Sequence, residues 1–161
     1  MTTAMHPQAG HVPTRRLVLA DLIPNMRLRS AALVVAGALL TAAASQVRIP
    51  LGFTPVPINL ATFAAALTGG ALGMRRGVAS MTLYLLAGIV GLPFFAGGTS
   101  GWSIVSGATG GYLVCYPVMA AIVGWAAQRG HDRRVGSFVA AVVAANAVLY
   151  LVGALWLGHV V

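Results

Sequence analysis

Between Leu92 and Gly111 the chain carries six glycines, five side-chain hydroxyls and three large aromatic rings, and not one charge. The run Leu92-Pro-Phe-Phe-Ala-Gly-Gly-Thr-Ser-Gly101 leads through Trp102 into Gly107-Ala-Thr-Gly-Gly-Tyr112. Glycines let a backbone approach a ligand closely and adopt unusual angles. Thr99, Ser100, Ser103, Ser106 and Thr109 offer neutral hydrogen bonds, and Phe94, Phe95 and Trp102 offer apolar walls. That mixture fits a small ligand with a compact polar head and an apolar body. An uncharged, aromatic-bearing stretch of this length is unusual as a mere connector.

A second wall is expected from Ile49-Pro-Leu-Gly-Phe-Thr-Pro-Val-Pro-Ile58, whose three prolines stiffen it and set Phe53 and Thr54 near the mouth. Arg48 precedes it. This cation can attract a ligand carboxylate, or snorkel to headgroups as interfacial arginines commonly do. Asn59 and Thr62 are read as sharing one face of a helix that looks into a cavity. Asn146 is read as a buried interhelical bond rather than a ligand contact. Tyr84, Tyr116 and Tyr150 read as core or interface residues, Cys115 as a small packing residue, and the four histidines receive no role.

The missing chemistry narrows the function. The chain has no lysine, so the phosphate-binding loop GxxxxGK[ST] is absent. No Asp, Glu, His or Lys falls inside a predicted span, which leaves no intramembrane proton relay. No metal-ligand cluster, no cofactor signature and no nucleophile–base pair is visible, so an enzyme is not expected. Uphill movement of a solute would need energy from a partner.

The elements that position these residues follow from composition. The 161 residues are 58% hydrophobic and 7% charged, against about 25% charged in soluble domains. Lipid is the expected solvent. The net charge of +8 does not read as nucleic-acid binding, because it sits in short caps rather than on one face. Five spans are predicted: Ser30–Val47, Val56–Met74, Gly77–Leu92, Gly107–Ala127 and Val135–Leu157. They must be helices, since the bilayer offers no partner to backbone amides and the strand alternation of a barrel is absent. The fold class is therefore all-α, a polytopic transmembrane helical bundle, with residues 1–29 as a cytoplasmic tail and 30–161 as the bundle.

Of the ten basic residues, all but Arg48 fall in clusters at Arg15, Arg16, Arg27 and Arg29, at Arg75 and Arg76, and at Arg129, Arg133 and Arg134. Arginines mark cytoplasmic loops, and one at mid-bilayer would cost about 2.5–3.5 kcal/mol. The N-terminus is thus expected inside the plasma (inner) membrane, and loops 48–55 and 93–106 outside. Small residues recur at four-residue spacing: Ala32/Ala36, Ala38/Ala42 and Gly69/Gly73. Gly69/Gly73 is expected to pack within the chain. The alanine-rich first helix suits either internal packing or docking of a separate membrane subunit.

Pro55-Val-Pro-Ile58, Leu92-Pro-x-x-Ala-Gly-Gly98 and Gly107-x-Thr-Gly-Gly-Tyr112, in this order, resemble the BioY family. These are the substrate-binding (S) components of energy-coupling-factor biotin transporters. The resemblance implies a six-helix bundle with an outward-facing biotin site, partnered by a transmembrane coupling subunit and two ATPase subunits. It implies docking through an Ala-x-x-x-Ala face of the first helix, matched by Ala32/Ala36 or Ala38/Ala42. It maps the ligand loop onto Gly97, Gly98, Thr99, Ser100 and Gly101, and a second lining stretch onto Gly110, Gly111 and Tyr112. Arg48 and Asn59 complete the candidate set.

Departures are present. Thr99 stands where an Asn often meets the ureido ring, and Leu113 where some members have Arg. The Thr-Leu-Gln after Pro-Val-Pro is Asn59-Leu-Ala61 here. A sixth helix, preceded by Pro-Gly-Asp with a nearby Lys, is expected in the family and is not found before Val161. The chain is then a fragment or a shortened relative. Alternatives to a biotin-binding subunit are a non-transporting membrane scaffold, an inactive remnant, or an S component for another vitamin.

Overall fold

The computed structural model describes residues 25–52, 54, 56–131 and 134–160. Tail residues 1–24, and with them Arg15, Arg16 and Asp21, lie outside this set, as do Phe53, Pro55, Asp132, Arg133 and Val161. Helix α1 spans Met26–Gln46 and starts at Asn25, whose side chain accepts from the Arg27 amide and so satisfies one orphan N–H. Its 21 residues rise to about 31 Å, enough for a hydrocarbon core of about 30 Å. A two-residue ribbon follows, with β1 (Arg48–Ile49) antiparallel to β2 (Ile58–Asn59), pairing Arg48 with Asn59. Helix α2 spans Ala61–Val90, α3 spans Trp102–Ser106, α4 spans Gly110–Gln128 and α5 spans Val135–Val160.

The long α2 is two arms rather than one rod. Gly73 leaves helical geometry at φ 78 and ψ 171, a left-handed φ that side chains other than glycine tolerate poorly. Residues 61–72 and 74–90 fold back on each other there. Gly69 and Gly77, four residues either side of the turn, are in contact: a Cβ on Gly77 would stand 2.8 Å from the Gly69 Cα. Arg75 and Arg76 immediately follow the turn. The second and third predicted segments are therefore both helical and joined at a single residue. The helix of the second begins later than expected, at Ala61, because Ile58 and Asn59 pair in the ribbon.

α4 is the central helix, contacting the α2 hairpin, α3 and α5. Small residues make this close packing feasible. A Cβ on Gly69 would lie 2.6 Å from the Ala120 carbonyl oxygen of α4, and one on Gly124 would lie 2.5 Å from the Met74 amide. Gly69 and Gly73 thus serve packing and turning within the chain, as expected. α1 seals the other side of the hairpin, where Gly37 meets Thr68 and Ser80. Its four-residue alanine pairs separate here: Ala38 and Ala42 are buried in the core, whereas Ala32 and Ala36 are exposed.

The outward surface is apolar. Leu39, Leu40, Phe63, Val143, Leu151 and Leu155 all point out. By length and composition α1, α4 and α5 can each cross a membrane. The arms of α2, residues 61–72 and 74–90, rise to about 18 Å and about 26 Å and are each shorter than the hydrocarbon core. Cys115 is buried and unpaired, as expected of a packing residue. Asn146 does not make the expected interhelical bond: its side chain donates to the Val142 carbonyl one turn back in its own helix, 2.9 Å away.

Candidate functional site

The ribbon, the 91–109 segment and the ends of α2, α4 and α5 enclose a cavity of about 340 Å³. It lies opposite the Gly73 turn and its arginines. The cavity volume is within the range of about 300–1,000 Å³ found for small-molecule sites. It forms because three features stop the chain from closing over the bundle end.

The first is the ribbon. β1 and β2 pair for two residues only, and between them the chain turns, with the Thr54 amide donating to the Leu51 carbonyl at 3.5 Å. Arg48, Leu51, Thr54, Pro57, Ile58 and Asn59 contribute one wall. The Asn59 side-chain oxygen accepts from the Ala61 amide at 3.0 Å and so starts α2. Asn59 is on a strand, not on the helical face that the sequence predicts, because the pairing with Arg48 takes it first. Thr62 begins the helix, and both Asn59 and Thr62 line the cavity.

The second feature is the glycine-rich segment. Phe95 and Thr99 bridge antiparallel across a tight turn. The Phe95 amide donates to the Thr99 carbonyl and the Gly98 amide to the Phe95 carbonyl, each at 3.0 Å. Gly97 and Gly98 close the turn at φ 73 and φ 71. Of the residues mapped here, Thr99 lines the cavity, while Gly97 abuts the Arg48 side chain. Ser100 and Gly101 stand behind the wall, where the Gly101 amide donates to the Gly88 carbonyl at 2.7 Å and ties the segment to α2. α3, a short helix inside the stretch that the sequence predicts as an outer loop, follows at once and supplies Ile104.

The third is an aromatic floor. Tyr84 and Tyr116, both buried, meet at 6.1 Å between ring centroids, and Phe95 packs edge-on to Tyr84 at 5.7 Å. The Tyr116 hydroxyl interacts with the side chains of Thr62 and Asn59, and that of Tyr84 with Ser45. Tyr112 and Tyr150 close the α4–α5 side, with centroids 6.2 Å apart. The sequence reading assigned Tyr84, Tyr116 and Tyr150 to the core or an interface; all three line the cavity, and the first two do both. Hydroxyl-bearing rings on otherwise apolar helices were the available signal.

Gly110 and Gly111 are not in the lining. They seat α3 and α5 on α4: a Cβ on Gly110 would strike the Val105 carbonyl of α3, and one on Gly111 would strike Trp156 of α5. The Trp156 indole N–H donates to the Gly107 carbonyl at 2.9 Å. Leu113 lines the cavity as an apolar contact.

Charge is sparse. Arg48 is the single charged side chain in the lining. The chain has two carboxylate side chains, Asp21 and Asp132. Each is adjacent in sequence to the arginine clusters rather than to the cavity. Among the described residues no acceptor side chain holds the Arg48 guanidinium.

The BioY family model matches residues 15–161. Biotin transporter BioY2 of Lactococcus lactis subsp. cremoris is 35% identical over 133 residues, covering 83% of this chain and 71% of that protein. The probable biotin transporter BioY of Pyrococcus horikoshii is 33% identical over 136 residues, covering 84% and 78%. The BioY biotin transporter of Rhizobium etli is 34% identical over 154 residues, covering 91% and 75%. Among solved structures, the S-component for biotin from an ECF-type ABC transporter superposes with a TM-score of 0.76 at 24% identity, over 85% of this chain and 75% of that one. The fold is thus that of an S component, and the chain belongs to the BioY family.

Proposed function

We propose that this chain is the biotin-specific, membrane-embedded S subunit of an energy-coupling-factor vitamin importer. Its relatives named as biotin transporters support the ligand class. The observation that carries the reading is the chemistry of the cavity: neutral hydrogen-bonding groups and aromatic rings around one cation, Arg48, which no acceptor side chain among the described residues holds. Biotin has matching parts: a neutral ureido head, an apolar bicycle and chain, and a terminal carboxylate. Arg48 receives the carboxylate. Thr99 and Asn59 serve the neutral polar groups, and the tyrosines with Phe95 cover the apolar body. Gly97, Gly98, Ser100 and Gly101 shape the wall that Thr99 stands on.

The N-terminus is cytoplasmic, with residues 1–29 as a tail and 30–161 in the bundle, and the cavity faces outward. The arginine clusters support that orientation. The chain has no lysine for a nucleotide-binding loop, so a transmembrane coupling subunit and two ATPase subunits supply the work. The exposed Ala32/Ala36 face of α1 receives the coupling subunit. The burial of Ala38 and Ala42 within the chain supports the Ala32/Ala36 pair over them for that role. ATP hydrolysis in the partners tips the loaded bundle and frees biotin inside; this subunit binds and releases without catalysing a reaction.

Equilibrium binding of radiolabelled biotin to the detergent-purified chain tests this, with riboflavin and thiamin as competitors. Saturable biotin binding that neither competitor displaces is expected. Binding of another vitamin in place of biotin, or of none, overturns the reading.

A further inference from the structure

The end of α1 reaches across to the cavity wall through two polar side chains. Ser45 is fully buried, and its hydroxyl oxygen lies 2.5 Å from the Phe94 carbonyl oxygen and 2.7 Å from that of Ala42. The single hydroxyl proton serves these two acceptors. The same oxygen accepts from the Gln46 side-chain amide at 3.0 Å and interacts with the Tyr84 hydroxyl. The two N–H groups of the Gln46 amide are shared among that oxygen and the carbonyls of Ala42 at 3.0 Å, Phe95 at 3.3 Å and Pro93 at 3.4 Å. Carbonyl oxygens surround that position, so the nitrogen and not the oxygen of the amide must point there.

Three consecutive loop carbonyls, those of Pro93, Phe94 and Phe95, are therefore held from outside the loop by two neighbouring residues of α1. The loop's own bonds do something else: Phe95 pairs with Thr99, and Gly101 with Gly88. Phe95 and Thr99 are both cavity wall. The wall is thus a small turn anchored at its first strand by α1. α1 in turn is fixed to the α2 hairpin through Gly37, Thr41 and Ala42.

We infer that Ser45 and Gln46 are positioning residues that clamp the Phe95–Thr99 wall to α1 and so set how long a ligand stays in the cavity. The clamp itself is independent of ligand identity; its effect on biotin rests on the function proposed above. Because α1 holds the wall, a shift of this helix loosens the site without any contact between the shifting agent and the ligand.

The test uses Gln46→Glu, which keeps size and helix preference but replaces the amide donor with an acceptor facing carbonyls, and Ser45→Ala as an independent second variant. Hydrogen exchange of the 93–101 segment is followed without ligand, and biotin association and dissociation rates are measured by stopped flow. Faster exchange confined to that segment is expected in both variants, with α4 amides unchanged. Biotin dissociation should accelerate by about tenfold, the loss of roughly one or two hydrogen bonds, with association little altered. Exchange of the segment equal to that of the unsubstituted chain in both variants overturns the clamp. Faster exchange in a protein that never binds biotin upholds the clamp and rejects the ligand assignment instead. A fall in association with unchanged dissociation overturns the inference about residence.

Discussion

The guanidinium of Arg48 occupies the space in which a side chain on Gly97 would stand. Two separate outer segments thus meet through a residue with a long cationic side chain and one with none. Gly97 also holds a left-handed φ of 73, so it is constrained twice over. Gly97→Ala should cost about 1–2 kcal/mol in backbone strain and also displace the cation. Biotin affinity and thermal stability should both fall. Retained affinity in Gly97→Ala would show that the position of Arg48 does not matter to the ligand.

Removing the cation alone separates charge from shape. Arg48→Gln should weaken biotin by about 1–2 kcal/mol, the scale of a hydrogen bond to a charged group in a partly wet site. It should leave biotin amide, which lacks the carboxylate, nearly unaffected. Titrating both ligands into both proteins gives the double difference directly. Equal losses for acid and amide would remove Arg48 from carboxylate binding and return it to a headgroup role.

Thr99 tests the neutral half of the site. Its hydroxyl donates to the Ala96 carbonyl at 3.1 Å, which leaves the oxygen lone pairs directed away as acceptors. A ureido N–H is a donor and matches them. Thr99→Val preserves shape and should weaken biotin by roughly 1–3 kcal/mol, because a buried ligand donor would lose its partner. Isothermal titration yields the number, and an unchanged affinity takes Thr99 out of the site.

How far the sequence carried can be judged at particular residues. Apolar runs separated by arginines anticipate helices α1, α2, α4 and α5, because burying a charge in lipid is costly enough to leave a trace in composition. Gly97, Gly98 and Thr99 are legible because turn chemistry is local. Asn59 was legible as a cavity residue but not as a strand, since a two-residue ribbon is defined by its pairing with Arg48 and has no periodicity of its own. Tyr84 and Tyr116 look like core residues in one dimension; that they also floor a cavity depends on the Gly73 turn bringing Thr62 beside Tyr116. Gly110 and Gly111 share the glycine-rich composition of the loop, yet serve α5 packing, a long-range contact that no local pattern reports.

The two alanine pairs on α1 should behave oppositely. Ala36→Leu, on the exposed face, should leave biotin affinity and Tm unchanged but reduce co-purification with the coupling subunit. Ala38→Leu, at 1% exposure, should destabilise by about 1–3 kcal/mol through overpacking. Pull-down yield and a thermal-shift assay read the two effects apart. Loss of coupling in neither variant would place the docking face elsewhere.

The hairpin offers the strongest stability test. A Cβ on Gly69 would stand 2.6 Å from the Ala120 carbonyl oxygen and 2.8 Å from its Cα. Both are backbone atoms, so neither can swing aside as a flexible side chain does. Gly69→Val must then push α4 from the α2 hairpin and open the contact along both helices. We expect a loss of at least about 3 kcal/mol, seen as a large fall in Tm in detergent and poor recovery from the membrane. Gly136 is the control: a Cβ there meets nothing within 4 Å. It sits in the first turn of α5, so Gly136→Ala should be neutral or stabilising by up to about 1 kcal/mol through helix propensity alone. Equal effects of the two substitutions would mean that α4 and the hairpin do not meet at Gly69 and Ala120.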